Sequence, residues 1–163
     1  MANHLPVRIA PDFEVLYPNA SPGATECAMN LVFTADVLTS RIARLLRQFD
    51  LTPASALVLS VLADCEAPIP PNEIASRLII TRATVTGLVD SLERRDYVRR
   101  RPHPEDRRMI LAEITDMGRE VADAFRPIVH RQEKEWFQAL SEAEQQQFLA
   151  LLHRLQAALA DVG

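Results

Sequence analysis

Between Asn72 and Thr115 the hydrophobic period of the chain changes once, from that of a helix to that of a strand, and the change restricts what the segment can become. Before it, Ile74, Ala75 and Leu78 form one short apolar stripe, and Val85, Leu88, Val89 and Leu92 form a second. After it, Tyr97 to Arg100 and Met109 to Ile114 alternate well enough to pair as strands. Two short helices, a tight turn and a hairpin make the outline of a winged helix-turn-helix, a mainly α fold with a small β-wing.

Local chemistry supplies the boundaries. Pro70 and Pro71 stop whatever precedes the first helix, and Pro71 suits a first helical position, where no N–H is needed. Ile80 and Thr81 form the expected turn, with the Thr81 hydroxyl placed to cap the second helix. Asp96 is expected to end that helix in a left-handed conformation, which Asp tolerates better than most residues.

With the apolar stripe turned inward, Arg82, Thr84, Thr86 and Gly87 face outward over the first two turns of the second helix. A recognition helix presents that part to base edges in the major groove of double-stranded DNA. Arginine can pair bidentately with guanine, and threonine offers a hydroxyl and a methyl; Ala83 and Gly87 permit close approach. The loop from Arg101 to Arg108 is stiffened by Pro102 and Pro104 and carries three arginines, Arg101, Arg107 and Arg108. A stiff cationic finger suits a narrow minor groove, where the negative potential is strongest. From Arg94 to Arg108, seven arginines against Asp96, Glu105 and Asp106 leave a local charge of +4, whereas the whole chain is formally −4. Acidic overall and basic locally, the chain fits a confined nucleic-acid footprint better than a general polyanion binder.

The run LIITRATVTGLVDSLERRDYVRRRPHPEDRRMILAEIT resembles the recognition helix and wing of the MarR family of bacterial transcriptional regulators, and the similarity extends from about Leu51 to Thr115. The resemblance implies that Arg108 enters the minor groove and that Asp106 orients it through a salt bridge. It implies a phosphate or groove contact for Arg107, and it matches Arg100 to a basic residue of the first wing strand. Thr81, Arg82, Thr84, Thr86, Arg100, Arg101, Arg107 and Arg108 are therefore the candidate DNA-binding residues, with Asp106 positioning the wing. Two positions depart from the family pattern. Ile79 stands where a small residue or Gly is common at the corner, and Asp96 stands where Gly usually precedes the wing strand.

The flanks are helical. Met29, Val32, Phe33, Val37, Leu38, Ile42, Leu45, Leu46 and Phe49 mark a long amphipathic helix over 25–50. Thr52-Pro53 caps and opens the next helix, so that the winged unit covers 51–115. Thr115 can cap a helix that Pro127 is expected to kink, and Ser141 to Glu144 is a capping box for a last helix; together they fill 116–163. Residues 1–24, with four prolines and no sustained periodicity, are expected to be an extended arm, packed on a partner or loose. The long terminal helices carry apolar stripes that a small winged module cannot cover, which points to a homodimer with recognition helices ~34 Å apart. The resemblance implies the same dimer, and also an effector, an aromatic acid or other small amphipathic molecule.

No constellation of nucleophile, base and orienting group suggests an enzyme. His4, His103, His130 and His153 are scattered without metal-ligand spacing, and four glycines are too few and too dispersed for a phosphate-binding loop. No cofactor is expected. No apolar run approaches the ~18 residues of a membrane span, no secretory signal is evident, and Cys27 and Cys65 read as reduced thiols of a cytoplasmic protein. The main expectation is a ligand-responsive dimeric repressor on a pseudo-palindromic operator. Two other readings stay open: a thiol-based redox regulator using Cys27, which one branch of the family implies, and a protein-interaction module on the same fold.

Overall fold

The structure, a computed structural model, describes residues 6–106 and 108–160. Its described elements are α1 (Phe13–Leu16), α2 (Pro22–Leu46), a 3-10 turn (Arg47–Phe49), α3 (Pro53–Ala63), α4 (Pro71–Leu78), α5 (Arg82–Glu93), β1 (Val98–Pro102), β2 (Ile110–Ile114), α6 (Asp116–Phe137) and α7 (Glu142–Ala160). The architecture is mainly helical with one small antiparallel ribbon, the winged helix-turn-helix that the change of period predicts. The chain divides into two compact units, Met1–Leu57 and Val58–Gly163. No single described helix is long and apolar enough to cross a membrane.

In the first unit, α2 starts three residues before the stripe suggests. The Ser21 hydroxyl accepts the Ala24 N–H at 3.3 Å and Pro22 takes the first helical position, a cap-and-proline pair that lies upstream of the periodic residues. The segment before it is not simply extended, because α1 forms one short turn with the rings of Phe13 and Tyr17 in contact at 5.1 Å. Further upstream, Asn30 of α2 holds Val7 at both backbone groups, accepting its N–H at 3.0 Å and donating to its carbonyl at 2.9 Å. The apolar stripe of α2 is only partly covered. Leu46 is buried, whereas Met29, Leu31, Val32 and Phe33 are exposed, Val32 to 70%. An open apolar groove of about 510 Å³ runs along them, lined by Val7, Ala28, Met29, Val32, Phe33 and Asp36. After the 3-10 turn, Asp50 takes a left-handed conformation, and the Thr52 hydroxyl caps α3 through the Ser55 N–H at 3.1 Å.

The core of the second unit is built from Val58, Leu59, Leu62, Ile74, Val85, Val89, Leu92, Val98, Ala112, Ala122 and Phe125. β1 and β2 pair from Val98↔Ile114 to Pro102↔Ile110, and Ile69 adds a bridge to Ala112 with two N–H to carbonyl bonds of 3.1 and 2.8 Å. The first wing strand thus runs two residues further than the alternation suggests. Arg101 and Pro102, read as loop from the sequence, are its last paired residues, where a strand end tolerates a missing N–H. Thr115 caps α6 by accepting the Gly118 N–H at 3.0 Å. Gly118 is required there, because a Cβ would collide with the Tyr97 carbonyl oxygen that also accepts the Thr115 N–H. The helix then continues through Pro127 to Phe137. Ser141 and Glu144 form the reciprocal capping box of α7, a helix with no buried residue.

Candidate nucleic-acid interface

The first turn of α5 is set by two threonines. The Thr81 hydroxyl accepts the Thr84 N–H at 3.1 Å and shares a hydrogen bond of 2.8 Å with the Thr84 hydroxyl. The cap fixes the helix start, and the burial of Val85, Val89 and Leu92 fixes its rotation. Arg82, Thr84, Thr86 and Gly87 are consequently exposed, as the stripe implies. Thr86 donates its hydroxyl proton to the Arg82 carbonyl at 3.0 Å, so it offers an acceptor and a methyl to anything in front of the helix. Arg82 has no ion-pair partner among the described residues.

The corner ahead of this helix is strained. Ile79 ends α4 in a left-handed conformation, φ 55°, and is 71% exposed, so the strain is not offset by burial of its side chain. The turn it makes lets Ile80 donate to the Ala75 carbonyl at 3.1 Å and so delivers the chain to the Thr81 cap. Asp96 adopts the left-handed conformation expected of it, φ 60°, and closes the other end of the helix-to-strand connection.

The wing arginines divide into two groups. Arg100, on the half-buried side of β1, is held by both Asp90 and Glu93 of α5, and Glu93 also accepts its backbone N–H at 3.1 Å. Burial works against its charge, but the hydrogen bond it donates to Asp90 and the pull of Glu93 outweigh that and raise its pKa. Both ends of its guanidinium are thereby used to tie the recognition helix to the wing strand. On the outer side of the ribbon Arg99 and Arg101 share the Glu113 carboxylate, Arg99 at 2.5 Å. The hydrogen bond from Arg99, reinforced by Arg101, holds the Glu113 carboxyl down at about 2. Arg99 is raised in turn by Glu113. Arg108, at the exposed tip, has no ion-pair partner among the described residues, and Arg107 lies outside them.

Asp106 does not meet Arg108 in the way the family resemblance implies. Its carboxylate accepts the backbone N–H of Arg108 at 3.0 Å, and among the described residues no ion pair joins the two side chains. The acid shapes the turn and leaves the guanidinium uncommitted. The tip holds one further contact that spacing alone did not signal. His103 Nδ1 lies 3.2 Å from the backbone nitrogens of both Glu105 and Asp106.

Both cysteines are free, as read from the sequence, but their surroundings differ. Cys27 is exposed on α2. It is Cys65, at the end of α3, that has a cation in contact: its sulfur accepts from Arg77 Nη1 at 3.4 Å and donates to the Val61 carbonyl at 3.2 Å. Arg77 is meanwhile bonded to Glu73 at 2.5 Å.

Comparison with known proteins gives four findings. Residues 49–109 match a sequence model described as MarR family. An uncharacterized HTH-type transcriptional regulator of Bacillus subtilis strain 168, YkoM, is 32% identical over 108 residues, 66% of this chain and 70% of that protein. The HTH-type transcriptional repressor YetL of the same organism is 31% identical over 112 residues, 68% of this chain and 67% of that one. Among solved structures, MepR of S. aureus in complex with DNA superposes with a TM-score of 0.76 at 26% identity, covering 80% of this chain and 96% of MepR.

Proposed function

The chain belongs to the MarR family of transcriptional regulators, and we propose that within it the protein acts as a homodimeric, effector-responsive repressor of the cytoplasm. The observation that carries this reading is the start of α5, where a capped and rotationally fixed helix turns Arg82, Thr84 and Thr86 to solvent together. Arg82 and Thr86 read base edges in the major groove, and the Thr81 cap sets the angle at which they enter it. Arg108 enters the minor groove from the wing tip, with Arg107 beside it in sequence. Arg101 is half exposed and shares its carboxylate, so it exchanges Glu113 for a phosphate at modest cost. Arg100 has a different task from the one first assigned to it: tied to Asp90 and Glu93, it sets the angle between recognition helix and wing and does not itself touch DNA.

Support for a dimer comes from exposed apolar side chains, Met29 and Val32 on α2 and Phe148, Leu151, Leu155 and Leu159 on α7. A second copy covers them, and its two-fold axis matches a pseudo-palindromic operator. A small aromatic or amphipathic effector releases DNA to the extent that it binds one spacing of the two recognition helices better than the other. No catalytic role is proposed.

The test is a fluorescence anisotropy titration of the purified protein against the DNA upstream of its own gene, at two salt concentrations. Selective, salt-dependent binding by a dimer is the expected result, with Arg108→Ala lowering the salt slope by about one unit for one lost phosphate contact. Arg82→Ala is expected to change preference at one position by ~1 to 3 kcal/mol. An equal loss on every sequence would remove Arg82 from base reading, and binding without selectivity to any duplex would favour a protein-interaction module.

A further inference from the structure

At the wing tip a histidine stands where the turn requires an acceptor. His103 follows the last residue of β1, and its Nδ1 lies 3.2 Å from each of two backbone N–H donors, those of Glu105 and Asp106. Both are donors, so Nδ1 presents its lone pair and the proton of the neutral ring sits on Nε2. The rest of the tip is linked to this point. The His103 N–H donates to the Met109 carbonyl at 2.9 Å, the Met109 N–H returns to the Asp106 carbonyl at 2.9 Å, and the Asp106 carboxylate accepts the Arg108 N–H at 3.0 Å. One imidazole lone pair therefore anchors the near side of a turn whose far side carries Arg108.

We propose that His103 is a positioning residue for the wing: its neutral imidazole caps the tip and so aims Arg108, and protonation at Nδ1 releases the tip and weakens selective DNA binding. The proposal rests on the reading of the wing as a minor-groove arm. A protonated Nδ1 is a donor facing two donors, so the charged ring cannot keep either bond. Histidine is the side chain whose charge ordinarily changes between about pH 5 and 8. The charged groups of the described tip and its strands are Glu105, Asp106 and Arg108 on the turn, Arg99, Arg100 and Arg101 on β1 and Glu113 on β2. The two accepted N–H bonds are open only to the neutral ring. The added charge would also attract any DNA, so the signature is lost selectivity with non-selective affinity kept or raised.

The experiment uses the full chain and a duplex that the protein selects from a random-sequence pool, set against a scrambled duplex. Affinities are measured at about pH 7.5 and about pH 5.5 at constant ionic strength, either side of the ordinary histidine range. His103→Asn places a non-titrating amide oxygen near the position of Nδ1, and His103→Gln moves the acceptor one bond away. The wild-type preference for the selected duplex is expected to fall about threefold to tenfold on acidification, the scale of losing one or two exposed hydrogen bonds. The Asn variant keeps its preference at both pH values, and the Gln variant has a weakened preference at both. Parallel pH dependence of wild type and Asn variant overturns the proposal, as does full wild-type preference in the Gln variant at the higher pH. A second arm needs no DNA. In the uniformly nitrogen-15-labelled protein, the Glu105 and Asp106 amide resonances should shift and lose exchange protection as the His103 ring titrates, and stay flat in the Asn variant. Amides that ignore the titration overturn the cap itself. Amides that follow it, in a protein without selective DNA binding, keep the cap and overturn its role in aiming Arg108.

Discussion

Ile79 shows how a single residue can carry strain that its neighbours tolerate. A β-branched side chain in the left-handed region costs roughly 1 to 2 kcal/mol, and at 71% exposure Ile79 recovers little of it by burial. Ile79→Gly is therefore expected to raise the unfolding free energy by about 1 kcal/mol, net of the glycine's own chain entropy, as read by urea titration. A lower midpoint at unchanged slope would mean that the isoleucine contacts matter more than the backbone. Glu113 gives a second test. Its carboxyl is lowered from an ordinary 4.5 to about 2 by the hydrogen bond from Arg99 and then by Arg101. A depressed carboxyl stabilises the fold above its unfolded pKa, and the contribution disappears as the pH falls through the folded value. Wild type should thus be more stable than Glu113→Gln near neutrality, by at most about 1 kcal/mol because both arginines are half exposed, and the gap in thermal midpoint should close between about pH 4.5 and about pH 2. A gap that stays constant over that range would show that the ion pairs are not its source.

At the scale of elements, the boundaries follow capping chemistry wherever the cap lies next to an apolar stripe. Thr52, Thr81, Thr115 and Ser141 were legible for that reason, and each accepts the N–H that its position demands. Ser21 was not, because the stripe of α2 starts several residues after its cap, and α1 was not, because a single turn has no period to read. The two described helical glycines of the second unit, Gly87 and Gly118, make a contrasting pair. A Cβ at Gly118 would strike the Tyr97 carbonyl, a backbone atom that cannot move aside, so Gly118→Ala should cost about 3 kcal/mol. A Cβ at Gly87 meets nothing within 4 Å, so Gly87→Ala should stabilise α5 by up to about 1 kcal/mol. Since Gly87 lies on the proposed DNA face, the same methyl is expected to lower operator affinity. Urea titrations and anisotropy on the same preparations separate the two effects, and a Gly87→Ala protein that is both more stable and equally tight would remove Gly87 from the interface.

For the whole molecule, the uncovered apolar residues of α2 and α7 decide what is expected in solution. Val32 is 70% and Leu159 67% exposed, and the homodimer proposed above would cover both. Leu155→Glu, in the exposed stripe of α7, should shift sedimentation equilibrium towards monomer and lower operator affinity by more than any single phosphate contact, since it separates two recognition helices at once. A variant that stays dimeric with unchanged affinity would place the interface elsewhere.

The sequence by itself determined the order of helices and strands from α2 onward, the caps that adjoin an apolar stripe and the outward face of α5, because period, capping and turn chemistry act over a few neighbouring residues. Val85, Val89 and Leu92 face inward by spacing alone, and that suffices to send Arg82, Thr84 and Thr86 outward. What only the tertiary structure decided is which charges remain available. A run of arginines reads as one cationic stretch, yet folding brings Asp90 and Glu93 of α5 to Arg100 and brings Glu113 of β2 to Arg99 and Arg101. Those partners lie 7 to 14 residues away in the chain, a separation set by strand register and helix packing that no local pattern encodes. The two hydrogen bonds of the His103 ring were not legible for the related reason that they depend on which way a ring nitrogen points within a turn, and that direction exists only once the turn has formed.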